Sequence, residues 1–337
     1  MNILCTGGAG YVGSACLRWL LRHGHEAIAY DDLSAGNAEA VPDGRLIVGD
    51  ILNGGQLTDV MAQHHVDAVM HFAAVASVPE SISDPDLYYR VNVLGTKNVL
   101  DAMRRTGVNR IVFSSTAATY GFDNPMPLTE DADQLPETPY GTTKLAAERM
   151  IADYARAYDF GYAWLRYFNA SGADLDGQFG EDRDHETHLI PIIFQVVNAH
   201  REKLMIYGGT FDTRDGTCVR DYVHTDDLGQ AHQRVIEALK PGDGRAYNLG
   251  SGTGATVMEV LRAAENVVGH PIAHEIVDPR PGDPAVLIAG SDRIRSDLGW
   301  DPQHSDVETI VASAWRWHQQ CPDGYASKPE AAAGKSG

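Results

Sequence analysis

The chain has 337 residues, enough for one large or two modest domains. Hydrophobic residues make up 43% and charged ones 22%, so a packed core is within reach, while 27 Lys+Arg against 46 Asp+Glu leave a net charge of −19. That charge repels nucleic acid and anionic lipid, and no apolar run approaches the ~18 residues of a membrane span. Four scattered cysteines without CxxC spacing argue against a zinc site and for a reduced compartment. The opening MNILCTGGAG has no basic flank or cleavage-like end, so the expectation is a cytoplasmic protein without a metal.

Short apolar runs at 2–6, 26–31, 45–49, 67–72, 110–115 and 162–167 read as strands. Between them the spacing predicts helices over 12–22, 87–106 and 140–158. Such alternation implies βαβ units and an α/β class, a Rossmann-like doubly wound parallel sheet. The second half is less regular and predicts helices over 189–199, 225–239, 256–268 and 307–320, with short strands near 206, 247–249 and 273–277. The chain thus divides into a nucleotide-binding domain over 1–168 and a smaller mixed α/β substrate lobe over 169–321, from which segments can return to the first domain. Residues 322–337, with Tyr325 their one large apolar side chain, read as a disordered tail.

Gly7, Gly10 and Gly13 stand in TGGAGYVGS, after a strand and opening a helix. The first permits a tight turn, and the second lets backbone approach a pyrophosphate that then sits at the helix N-terminus. Asp31 ends the second strand, 18 residues beyond Gly13. A carboxylate there accepts bonds from ribose hydroxyls and repels a 2′-phosphate, which favours NAD over NADP. Asp50, in GDI, is placed either to meet the adenine amino group or to cap a helix.

Tyr140 and Lys144, in TPYGTTK, lie one helical turn apart on one face. A cation beside a phenol lowers its pKa from the usual ~10 and makes a base useful near neutrality. Ser114, Ser115 and Thr116 end the fifth strand, where open α/β sheets place their ligands, so the Thr116 hydroxyl can meet a substrate oxygen beside Tyr140.

With these features together the sequence resembles the extended short-chain dehydrogenase/reductases over about residues 1–318, through TGGAGYVGS, DDLSAGN, GDI, HFAA, YYRVNVLGT, SSTAATYG and PYGTTK. HLIP is a further mark, and RYFNASGAD, DGTCVRDYVH and RPGDPA narrow the resemblance to the UDP-hexose 4-epimerases. It implies reversible inversion of UDP-glucose and UDP-galactose at carbon 4. Tyr140 removes the 4-hydroxyl proton while tightly bound NAD oxidises the carbon, and the 4-keto sugar turns about its link to UDP before reduction from the other face.

Position by position, the resemblance implies that Tyr11, Val12, Asp31, Asp32, Leu33, Ser34, Ala35, Gly36, Asp50, Ile51, Phe72, Ala73, Ala74, Ala76, Asn92 and Ser114 line the NAD site with the three glycines. Tyr140 is the general acid/base, Lys144 holds the phenolate and the nicotinamide ribose, and Thr116 bonds the sugar hydroxyl. Phe168 and Asn169 sit between cofactor and UDP-sugar. Leu189, Met205 and Tyr207 shape the uridine pocket, Arg220 and Arg280 hold the diphosphate, Asp283 meets the ribose, and Leu287 borders the hexose. A homodimer joined through the helices near 87 and 140 is implied as well.

Ala76 stands where some members carry a lysine, which removes one cofactor contact. Related dehydratases carry an Asp–Glu pair, and decarboxylases a glutamate, where Ala117 and Ala118 stand, so both reactions are disfavoured. A non-catalytic NAD-binding protein would not need Tyr140, Lys144 and Thr116 together. A 4-epimerase of another nucleotide sugar, UDP-N-acetylglucosamine or a UDP-pentose, is the alternative that stays open. His71, His188 and His224 read as packing or hydrogen-bonding residues and Cys218 as inert.

Overall fold

The computed structural model describes residues 1–121, 123–280 and 282–326. Seven strands form one parallel sheet in the order 244–249, 161–167, 110–116, 68–71, 2–6, 26–31, 46–48. Alternate residues of each strand face opposite sides. Ile3, Cys5, Ala27, Ala29, Met70 and Val112 pack on one face with Leu17, Leu20, Leu228 and Val235 from the helices Tyr11–Arg22 and Thr225–Ala238. Leu4, Tyr30, Val69, Ile111 and Phe113 face the other way, onto the helices Gly54–Gln63, Thr96–Thr106 and Pro139–Tyr158. The doubly wound α/β reading of the sequence is therefore the observed architecture.

The chain beyond Asn169 does not stay apart from this sheet. Helix Thr225–Ala238 covers it and Gly244–Leu249 pairs in register with Gly161–Tyr167 as its edge strand. The remaining segments build a second core, in which helices Leu189–Val197, Val257–Val268 and Val307–Gln320 pack on strand Leu204–Tyr207 and its parallel partner His274–Val277. No helix among the described residues is long and apolar enough to cross a membrane.

Three expectations need correction. The helix read over 87–106 is broken into Pro85–Tyr88, a π-helical stretch Tyr89–Gly95, and Thr96–Thr106. Asn92, inside the wide turn, reaches to Val75, and Gly95 lies so close to Ile51 that a Cβ would stand 2.4 Å from its Cδ1. The helix Gly54–Gln63 was not read, because its two opening glycines hide a start that Asn53 supplies by accepting a 3.1 Å bond from the Gln56 amide. The disordered tail expected from 322 is not met over 322–326: Tyr325 is buried, its ring 4.7 Å from Trp317 and its hydroxyl donating to the Gly180 carbonyl. The rest of that expectation, 327–337, lies outside the described residues.

Glu148 and Arg166 form an ion pair with side chains only 1% and 2% exposed. Arg166 Nε and Nη2 donate to the two carboxylate oxygens at 2.8 and 2.7 Å, while Ser115 and Gln134 donate to the same oxygens. Glu148→Gln leaves a buried guanidinium facing a neutral partner and should lower the unfolding free energy by about 3–5 kcal/mol. Glu26→Gln, in an exposed pair with Arg45, should cost below about 1 kcal/mol. Urea unfolding measures both, and equal losses would show that burial gives the Glu148 pair no special weight.

Candidate active site

Strand Asn2–Thr6 runs straight into the glycine turn, where Gly7 has φ +71 and its amide donates to the Tyr30 carbonyl at 2.8 Å. A Cβ at Gly7 would meet the Ala73 amide nitrogen at 2.4 Å, and one at Gly13 would stand 2.1 Å from the Gly7 carbonyl oxygen. Turn, neighbouring strand end and helix therefore touch backbone to backbone. Gly10 offers no side chain to cap the helix, and no acidic residue stands in its first turn, so the opening amides face outward as an anion site. This cradle fits a dinucleotide pyrophosphate.

Asp31 is buried at the end of its strand, and its carboxylate accepts from the Ala9 and Leu33 amides, both at 2.9 Å. Burial raises its pKa, and the bonds from Leu33 and Ala9 pull the other way. The DDLSAGN loop follows, with Leu33 at φ +61 and the exposed Asp32 carboxylate turned onto Ser34; Ala35 and Gly36 complete it, and a Cβ at Gly36 would come within 2.9 Å of the Asp31 carboxylate. Asp50 is exposed and accepts from the Leu52 amide, while Ile51 is buried beneath Gly95. Phe72 and Ala73 both donate their amides to the Thr6 carbonyl, which aligns the stretch running on through Ala74 to the exposed Ala76 with the glycine turn. Asn92 holds that stretch from behind, bonding Val75 through both ends of its amide and reaching Thr143. Tyr11 donates its hydroxyl to the Gly172 carbonyl, beside half-buried Val12, and the Ser114 hydroxyl pairs with Tyr167.

Thr138 caps the next helix by accepting from the Gly141 amide, with Pro139 in the first turn. A Cβ at Gly141 would lie 2.1 Å from the Ala118 carbonyl oxygen, so the helix start is pressed against the turn that follows Thr116. Tyr140 stands in the first turn of that helix, its ring meeting Tyr88 edge-on at 6.3 Å. The Tyr140 pKa is raised by burial, against the bond from Thr116 and the charge of Arg183. Lys144 is buried, its Nζ 4.3 Å above the Phe113 ring, and burial pushes its pKa down to about 7 against the opposing charge of Glu148. His71, bonded to Thr6 and Thr96, is held neutral by burial and by Lys144, with a pKa of about 3.

The residues expected around the substrate lie on short strands, loops and a helix beyond Tyr167. Half-buried Phe168 leads into the short strand Asn169–Ser171, where Asn169 Nδ2 donates to the Asp221 carbonyl at 2.8 Å. Arg220 pairs with Asp283 at 2.5 Å and lies in register with Leu287 of the adjoining strand. The Arg280 guanidinium stacks 3.9 Å over Tyr207, which shares the exposed face of its strand with Met205. Leu189 opens the helix Leu189–Val197.

A charged group escaped the sequence reading. Glu181 Oε1 accepts from Arg183 Nε at 2.8 Å and pairs with His188 Nδ1 at 2.6 Å, while Glu186 accepts the Thr187 and His188 amides. His188 is therefore hydrogen-bonded to Glu181, whose charge raises the His188 pKa. Glu181, Glu186 and His188 bring ligand atoms within 4.8 Å of one another, but Arg183 already occupies the Glu181 carboxylate. The density of charge in GEDRDHETH was the available signal.

Residues 3–250 match the model of the NAD dependent epimerase/dehydratase family. The chain is 46% identical over 329 residues to the UDP-glucose 4-epimerase of Halalkalibacterium halodurans, covering 97% of this chain and 98% of that protein. Among solved structures, UDP-glucose 4-epimerase from Brucella ovis in complex with NAD is 42% identical with a TM-score of 0.90, covering 94% of this chain and 98% of the other. That from Bifidobacterium longum in complex with NAD+ and UDP is 33% identical with a TM-score of 0.91, covering 96% and 100%.

Proposed function

The chain belongs to the NAD dependent epimerase/dehydratase family, and we propose that it interconverts UDP-glucose and UDP-galactose by inverting carbon 4 of the sugar, with NAD as its cofactor. The observation that carries this reading is the start of the Tyr140 helix pressed against the turn that follows Thr116, at the carboxyl end of the central strands, on the same sheet edge as the glycine turn and Asp31.

Bound NAD supplies a reversible two-electron couple for carbon 4. Gly7, Gly10, Gly13 and the amides opening the helix Tyr11–Arg22 would take its pyrophosphate, Asp31 its adenosine ribose, and Lys144 its nicotinamide ribose. Tyr140 then takes the 4-hydroxyl proton of the sugar and later returns it, with Thr116 bonded to the same oxygen to fix its approach. Inversion requires that the keto sugar present both faces in turn. The chain meets that requirement by holding the diphosphate through Arg220, Arg280 and Asn169 while leaving the hexose few charged partners. Phe168 would separate cofactor from sugar, and Leu189, Met205, Tyr207 and Asp283 would receive the uridine.

The division into a nucleotide-binding part up to 168 and a substrate part beyond it belongs to this reading, with 225–249 returning to the first. So does a homodimer joined through the helices near 87 and 140, the second of which, Pro139–Tyr158, carries on its surface a cleft lined by Leu145, Met150 and Tyr154 together with Thr142, Arg149 and Asp153. Its four free cysteines suit a reduced compartment, and we assign the cytoplasm.

The purified protein should convert UDP-galactose without added NAD and release NAD, not NADP, on denaturation. Tyr140→Phe should lower kcat by about 10²–10⁴-fold while UDP-sugar still binds, because only the proton-carrying oxygen is lost. Retained wild-type turnover would remove Tyr140 from the reaction. Light scattering should give about twice the 36.6 kDa mass of one chain, and a monomer would end the dimer reading. If Leu287 limits room beside the hexose, Leu287→Ser should raise kcat/KM for UDP-N-acetylglucosamine relative to UDP-glucose and Leu287→Tyr should lower it. A ratio that stays fixed in both folded variants places Leu287 away from the sugar.

A further inference from the structure

We propose that Asp221 is a positioning residue for the UDP-sugar: its carboxylate locks the register that sets Arg220, Asn169 and Leu287 in their places. The inference rests on the reading of those three residues as the substrate's holders and extends it to a fully buried neighbour.

The strands that carry these residues are too short to fix their own register. Val219–Arg220 pairs with Ala255–Thr256 on one side and with Val286–Leu287 on the other, each only two residues long. A slip of one residue would turn Arg220 and Leu287 to the opposite face. Asp221 follows directly and closes the end of this small sheet with its side chain. Oδ1 accepts from the Ser251 amide at 2.6 Å and the Ser251 hydroxyl at 2.7 Å, and Oδ2 from the Gly252 and Ala289 amides, both at 3.0 Å. One carboxylate thus gathers the turn that leads into Ala255 and the residue two beyond Leu287. The fit is tight, since a Cβ at Gly250 would stand 2.5 Å from Oδ2. Burial raises the Asp221 pKa, and the bonds from Ser251, Ala289 and Gly252 oppose it.

Adjacent residues therefore grip both ends of 283–289. Arg220 Nη1 donates to the Pro284 carbonyl at 2.9 Å and Nη2 to Asp283 at 2.5 Å, while Asp221 holds Ala289. The backbone is fixed, and the guanidinium stays free to exchange Asp283 for phosphate. The Asp221 carbonyl accepts from the Asn169 amide at 3.1 Å and from Asn169 Nδ2 at 2.8 Å. A side-chain amide carries two hydrogens, so this bond directs the second, which can meet a phosphate oxygen. The dinucleotide side has its own anchors, in the amides on Asp31 and the Asn92 bond to Val75, which use none of these residues.

Asp221→Asn, Ser251→Ala and the unaltered chain are purified with their bound cofactor, and affinities for UDP and for uridine are measured by titration calorimetry. Asp221→Asn turns an NH2 group against amide donors. It should raise the UDP Kd about tenfold, as misaligned charged contacts do, with the uridine Kd within about twofold. Ser251→Ala removes only the hydroxyl bond and should raise the UDP Kd by about two- to threefold. NAD released on denaturation should match the unaltered chain in both variants. Thermal unfolding checks the fold; if Asp221→Asn does not fold, Ser251→Ala decides, and a UDP Kd that it leaves unchanged overturns the proposal. A folded Asp221→Asn chain that binds UDP as before overturns it, as do equal losses of UDP and uridine, which would make Asp221 a general support of the fold. Failure of the unaltered chain to bind UDP would overturn the epimerase reading and the proposal together, whereas a loss confined to the variants leaves that reading standing.

Discussion

The buried pair between Glu148 and Arg166 fixes the position of the catalytic helix. Glu148 lies one turn beyond Lys144 and two beyond Tyr140, while Arg166 belongs to the strand Gly161–Tyr167 beneath them. Ser115, the residue before Thr116, donates to the same carboxylate, and Tyr120 and Asn248 extend the network through the Arg166 Nη1 bond to the edge strand. Burying two charges is costly, and the cost is offset only because every oxygen and most guanidinium hydrogens find partners. An apolar substitute of equal volume could fill the space. It would not tie three strands and a helix to one register, and the distance from Tyr140 to Thr116 depends on that register.

The two sides of the site are made of different material. On the dinucleotide side, contacts are between backbones that no side chain separates, at Gly7, Gly13 and Gly141, and Asp31 is fixed by amides. Such a surface has little freedom to relax. On the other side, Arg220 and Arg280 are long side chains resting on Asp283 and on the Tyr207 ring. Exchange of partners there needs only rotamer changes, whereas the backbone contacts of the first side leave it little room to move.

Strands 2–6 and 26–31 and the helix 307–320 were legible to the residue, because apolar alternation and terminal signals agree there. The i, i+4 relation of Tyr140 to Lys144 was legible for the same reason. What their charges do was not, since that depends on how deeply each is buried, and burial is a property of the packed chain. Short strands such as Asn169–Ser171 and Val219–Arg220 carry no periodic signal and exist because a distant partner pairs with them. The π stretch was hidden because its apolar pattern continues the helices on either side. His188 looked like an isolated histidine because Glu181, seven residues away, is brought to it only by the turn between them.

The edge strand Gly244–Leu249 comes from between the segments that form the second core, after Leu189–Val197 and Leu204–Tyr207, yet it completes the sheet against Gly161–Tyr167. A ribosome making this chain therefore releases six strands of the sheet long before the seventh exists. Until residue 249 emerges, Gly161–Tyr167 is an open edge with unpaired amides and carbonyls, the kind of surface that recruits other strands. The nascent protein has to pass through that exposed interval on every round of synthesis, and the charge of −19 carried by the finished chain is well suited to keeping neighbouring copies apart while it does.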